Sequence, residues 1–197
     1  MDLEVFLEDL SSSSPAPGGG SASALTGAIA ASLNSMVATI TAKKKPELEE
    51  IGQKAREVRD DLLRLMEQDT SAFLSLMKAF KEKNEAEIAE RVREAATVPL
   101  ATAEKSLEAL VLAVELLQKG SKSVFTDSAG AGFLAWAAVR SALLNVLINL
   151  PSMKDEPLKA HLLHKTTAYT QKSDELLQEV IQQSNAFFTT KLKPISQ

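Results

Sequence analysis

Apolar positions recur at helical spacing along almost the whole chain, and each change of phase marks the edge of an element. Leu3, Phe6, Leu7 and Leu10 make one face of a short first helix, ended by Ser11 to Ser14 and the prolines Pro15 and Pro17. Leu25, Ile29, Leu33, Met36 and Ile40 carry a second helix through a run of small residues to Ala42. It stops at Lys43-Lys44-Lys45-Pro46, where cations suit the helix C-terminus and proline cannot continue it. From Glu47 to Phe80 a long amphipathic helix places Ile51, Ala55, Val58, Leu62, Leu65, Asp69, Ala72 and Leu76 in alternating steps of four and three, the seam of a packed bundle. Lys81 to Asn84 is a polar break. A short charged helix is predicted over Glu85 to Thr97, and Pro99 suits the first turn of the next one. Leu100, Ala103, Leu107, Leu110, Val111, Val114 and Leu117 line that helix to Gly120, a C′ glycine. A polar loop follows, with Asp127 as N-cap of a second small-residue helix whose apolar body runs from Phe133 to Leu150. The last helix runs from near Pro157 to about Thr189, with Leu162, Tyr169, Leu176, Leu177, Val180, Ile181 and Phe188 as its apolar face.

Strand signals are scarce, aromatic residues make up 5% of the chain, and glycine and proline fall at helix boundaries. The prediction is an all-α fold: one domain over residues 1–197, a bundle of long antiparallel helices. The net charge of −4 argues against a nucleic-acid or anionic-membrane surface as the main partner. The absence of cysteine excludes disulfides, thiolate chemistry and Cys-ligated zinc. The acidic start Met1-Asp2-Leu3-Glu4 lacks the pattern of a signal peptide, and a cytoplasmic location is expected. The stretch between Asp9 and Lys43 has no charged residue and is long enough to span a bilayer. Ser32, Asn34, Ser35, Thr39 and Thr41 interrupt it, so a core helix is the better reading.

Candidate chemistry sits where polar groups occupy apolar faces. Asp69 is the one seam member that is not apolar, and a carboxylate there is costly unless paired or used. Asn145 and Asn149, four apart, put two amides on one face of an apolar helix. Each must bond a neighbouring helix or line a polar pocket. Pro17-Gly18-Gly19-Gly20-Ser21 enters a helix N-terminus, whose first N–H groups lack intrahelical partners and favour an anion. His161 and His164 lack acidic or cysteine partners at ligand spacing, so no metal site is predicted. A non-catalytic helical adaptor, or a membrane-associated helical protein, would account for the seam and small-faced helices. Neither accounts for Asp69, Asn145 and Asn149.

Four segments carry a family likeness: Pro15-Ala16-Pro17-Gly18-Gly19-Gly20-Ser21 leading to Met36-Val37-Ala38-Thr39-Ile40-Thr41, Gln68-Asp69-Thr70-Ser71-Ala72-Phe73, Ala95-Ala96-Thr97-Val98-Pro99-Leu100, and Asn145-Val146-Leu147-Ile148-Asn149-Leu150. In this order they resemble the cyclodeaminase/cyclohydrolase family, which acts on one-carbon tetrahydrofolates. The resemblance implies a helical bundle that pairs as a homodimer, with the tetrahydrofolate itself as the only cofactor, with or without a polyglutamate tail. It implies either of two reactions: closure of formiminotetrahydrofolate to methenyltetrahydrofolate with loss of ammonia, the preferred reading, or hydrolysis of methenyltetrahydrofolate to formyltetrahydrofolate. A separate formiminotransferase would supply the first substrate. On that reading Asp69 is the general acid and Asp127 an ionised partner in catalysis. Pro17, Gly18, Gly19, Gly20, Ser21, Lys122, Asn145 and Asn149 would then bind substrate. Lys122 stands where the family has an asparagine-rich loop. Lys43 to Lys45 offer an attraction for a glutamate tail.

Overall fold

The computed structural model describes residues 2–192. Helix α1 spans Leu3–Ser11, α2 Gly19–Ala42, α3 Glu49–Glu82, α4 Glu85–Lys119, α5 Phe125–Asn149 and α6 Glu156–Lys191. Single 3-10 turns at Pro46–Leu48, Lys122–Val124 and Leu150–Ser152 join the long helices, and no strand occurs among the described residues. Helix α2 lies antiparallel to α3, since Gly20 meets Asp69, Gly27 meets Leu62 and Gly52 meets Ala38. It lies antiparallel to α5, through Ser23 and Ser141, and parallel to α4, where Asn34 donates to Ala109 O (2.8 Å). The predicted seam of α3 is the packed one: Ala55, Val58, Leu62, Ala72 and Leu76 are buried.

Helix α2 buries its small side, with Ser21, Ala24, Ala28, Ala31, Val37 and Ala38 inside. Small residues let the flanking backbones come close, and this holds the geometry of the bundle. The larger Ile29 and Met36 point outward, 46% and 39% exposed. Helix α2 and the segment Lys122–Ser152 are each long and apolar enough to cross a membrane. About half of each is buried within the fold, 50% and 44%.

Three boundaries differ from the sequence reading. The predicted loop before Phe133 is mostly helix, and α5 starts at Phe125. Gly120 keeps φ at −69°, so it is not a left-handed C′ residue; a Cβ there would strike the Leu116 carbonyl oxygen. Finally, α4 is continuous from Glu85 to Lys119, with Pro99 buried inside it. A proline inside a helix leaves the carbonyl four residues back without its N–H partner. That carbonyl is Ala95 O, and Asn149 on α5 donates Nδ2 to it at 2.9 Å. Asn149 therefore replaces the bond that Pro99 removes, which is why the helix does not break. Asn149→Leu should cost about 1–3 kcal/mol through the orphaned carbonyl. Pro99→Ala restores an N–H to Ala95 O, so a double-mutant cycle by urea unfolding should show strong coupling between the two sites.

Candidate active site

The predicted glycine-rich entry and the anomalous seam aspartate meet. Gly18 is the N-cap of α2, in an extended conformation and without a side-chain cap bond. The Asp69 carboxylate from α3 occupies the place beside the first turn. A Cβ on Gly20 would lie 2.5 Å from the Asp69 carboxyl carbon, so only glycine admits this approach. The Ser21 hydroxyl donates to Asp69 Oδ2 at 2.8 Å and lies 3.1 Å from the Thr70 hydroxyl. Burial pushes the Asp69 carboxyl above its ordinary value of 3.8, partly opposed by bonds from the Ser21 hydroxyl and backbone N–H. The acidic group at this helix N-terminus is thus a carboxyl of the chain itself, half-buried and with its pKa moved upward by that burial.

The opposite flank of the same turn faces α5. Gly19 stands against Asn145, whose amide nitrogen would be 3.5 Å from a Cβ at that position. Asn145 Nδ2 donates to Ser141 O (2.9 Å), and the Ser23 hydroxyl reaches both Gly19 O (2.6 Å) and the Ser141 hydroxyl (2.8 Å). Gly19 and Gly20 are adjacent on the helix and about 100° apart around it. Asp69 and Asn145 therefore flank one helix mouth, with a titratable group on one side and a fixed amide on the other. Pro17 lines a neighbouring cleft of about 470 Å³ between α1 and α3 with Asp2, Asp9, Glu67 and Thr70.

Other expected site residues lie elsewhere. Asn149 donates to Ala95 O and Asn145 O (2.8 Å), so its amide is committed to the backbone. Asp127 is not the N-cap: α5 is capped at Val124, and Asp127 sits in its first turn. Eighteen residues of α5 separate it from Asn145, roughly 27 Å of helix, so one protomer does not bring Asp127 to Asp69. Lys122 lies 5.4 Å from the centroid of the Phe125 ring, which stacks on Phe187, and it forms no ion pair with Asp127. Lys45 donates to Lys119 O (2.7 Å) at the end of α4, which gives it a structural partner. His161 and His164 are exposed, and no group of three metal-binding side chains occurs among the described residues.

Sequence reasoning missed Thr70, Ser23 and Ser141. A signal for Thr70 existed in its place beside the one polar seam residue. Ser23 and Ser141 are serines on small-residue helices, and nothing in their spacing pairs them.

Comparisons with known proteins identify the family of the chain. The model of the family described as Formiminotransferase-cyclodeaminase matches residues 2–168. A methenyltetrahydrofolate cyclohydrolase of Methylorubrum extorquens is 35% identical over 168 residues, 78% of this chain and 81% of that protein. The formimidoyltransferase-cyclodeaminase of Rattus norvegicus is 30% identical over 187 residues, 87% of this chain. The chain spans 34% of that longer relative's length. The crystal structure of formiminotetrahydrofolate cyclodeaminase from Thermotoga maritima superposes with a TM-score of 0.90 at 30% identity, covering 94% of this chain and 96% of that one. With its helical bundle, its glycine-rich mouth and the likeness along most of its length, the chain belongs to the formiminotransferase-cyclodeaminase family, enzymes of one-carbon folate chemistry.

Proposed function

We propose that the chain closes formiminotetrahydrofolate to methenyltetrahydrofolate, releasing ammonia, with Asp69 as the proton donor to the departing nitrogen. The observation that carries this reading is the Asp69 carboxyl: burial moves its pKa upward, and it sits against the first turn of α2, whose other flank carries the Asn145 amide. A folate nitrogen attacks the formimino carbon and its proton passes to the imino nitrogen. The Asp69 carboxyl then protonates that nitrogen, the C–N bond breaks and ammonia leaves. General acid catalysis needs a group whose pKa lies nearer the working pH than that of a free carboxyl. Asn145 orients the substrate. Neither family reaction changes an oxidation state, so the tetrahydrofolate is the one cofactor proposed.

A second reading is hydrolysis of methenyltetrahydrofolate. It is favoured by the 35% identity to a cyclohydrolase of which this chain covers 81%. There Asp69, ionised, takes a proton from the attacking water. Absorbance with each substrate separates the two. Methenyl chromophore growing from formiminotetrahydrofolate with ammonia release supports the first, and chromophore loss from methenyltetrahydrofolate faster than in buffer supports the second. Inertness towards both would overturn the folate assignment.

We also infer that two copies pair through the outer face of α2 and α5. Ile29, Met36, Phe133, Leu144 and Ile148 are exposed on helices that between them carry only Asp127 and Arg140 as charges. A two-fold axis perpendicular to α5 would set it against its own copy in reverse and move Asp127 of one protomer towards the Asn145 end of the other. Light scattering should give twice the chain mass, and Ile29→Glu combined with Ile148→Glu should give monomers.

A further inference from the structure

Asp69 has a hydrogen-bond partner on its inner side. Ser21 is completely enclosed, and its hydroxyl touches two side chains: Asp69 Oδ2 at 2.8 Å and Thr70 Oγ1 at 3.1 Å. Since the Ser21 hydroxyl donates to the carboxylate, its oxygen is free to accept from Thr70. Thr70 does not fold back onto its own helix, whereas its neighbour Ser71 donates to Glu67 O at 3.0 Å. Thr70 also lines the cleft of about 470 Å³ between α1 and α3, where Asp2, Asp9 and Glu67 supply acidic groups. A continuous hydroxyl chain therefore joins Asp69 to the α1–α3 cleft.

We propose that Thr70 and Ser21 form a proton relay that resets Asp69 from the α1–α3 cleft while the mouth is occupied. This rests on the assignment of Asp69 as the proton-transferring group. In the deaminating direction the carboxyl gives one proton to the departing amine and ends as carboxylate. Ser21 O–H then passes a proton to Oδ2, Thr70 O–H passes one to Ser21, and water or a buffer acid in the cleft restores Thr70. In the hydrolytic direction the carboxylate gains one proton from the attacking water, and the same chain runs backwards into the cleft. Each bond broken to hydrogen is matched by one formed, so the two hydroxyls end unchanged apart from the direction of their hydrogen bonds.

Thr70→Val keeps the shape and removes the hydroxyl. At low buffer concentration its kcat should fall about tenfold or more, with KM little changed, and should recover as imidazole is added. Thr70→Ser, which keeps the hydroxyl, should recover the rate that Thr70→Val loses. Thr70→Ala serves as a second variant should valine disturb folding, judged by circular dichroism. A Thr70→Val enzyme as fast as wild type in dilute buffer, or one slowed equally at every imidazole concentration, would overturn the relay and leave the folate assignment intact. A wild-type protein inert to both folates would remove the assignment and the relay with it.

Discussion

Asp69→Asn should leave a folded protein whose turnover is reduced by about 10²–10⁴-fold, the usual worth of a positioned proton donor. The amide oxygen can still accept from Ser21, so the contact at the mouth of α2 survives and the proton does not. Stability should move the other way. Burial raises the Asp69 carboxyl in the folded protein above its ordinary value of 3.8. Between the unfolded and folded pKa values the folded chain therefore binds more protons than the unfolded one, and stability falls as pH rises through that window. Asparagine removes the cost of ionising this buried group. At neutral pH the variant should unfold at the same or higher urea concentration than wild type. Slower turnover with unimpaired stability is the signature of a group kept for chemistry; a structural aspartate would show both losses together.

Gly20→Ala should be the next most damaging change. Its methyl group would stand 2.5 Å from the Asp69 carboxyl carbon and 2.7 Å from Oδ2, well inside van der Waals contact. Either the α2–α3 spacing widens or the carboxylate swings away and gives up its bond with Ser21. Overpacking of this kind costs about 1–3 kcal/mol. Loss of the proton donor from its place should lower kcat by about 10²-fold or more. Gly18→Ala is the control, because nothing lies within 4 Å of a Cβ at that position and its φ of −134° suits any residue. It should retain most activity. Equal losses at Gly18 and Gly20 would mean that backbone freedom, rather than the approach of Asp69, explains the glycine run.

The sequence made some of this legible and hid the rest for physical reasons. The α3 seam could be read because its alternating steps keep one face towards its neighbours, and the same rhythm exposed Asp69 as out of place. Helix α2 showed its helical period and small residues. In an uncharged helix, though, the large residues do not reveal whether they point in or out, and Ile29 and Met36 point out. The unbroken α4 was hidden because Pro99 is compensated by Asn149, a residue fifty-four positions away at that bond. The same contact explains why Asn149, which shares a face with Asn145, carries backbone structure rather than a free amide. On α6 it is Phe187, not Phe188, that packs inward, stacked on Phe125 with ring centroids 3.9 Å apart. A one-residue choice within a helix face depends on the neighbour it meets, which no local pattern encodes.

The most direct test of the account is the titration of the Asp69 carboxyl itself. Carbon-13 NMR of aspartate-labelled protein would follow it, with Asp69→Asn identifying the resonance and kcat/KM recorded over the same pH range. The expected result is a midpoint clearly above the ordinary 3.8, matched by an inflection in kcat/KM that is absent from the residual activity of Asp69→Asn. A carboxyl that titrates at or below 3.8, or a rate profile that ignores its midpoint, would contradict the assignment of Asp69 as the group that moves the proton.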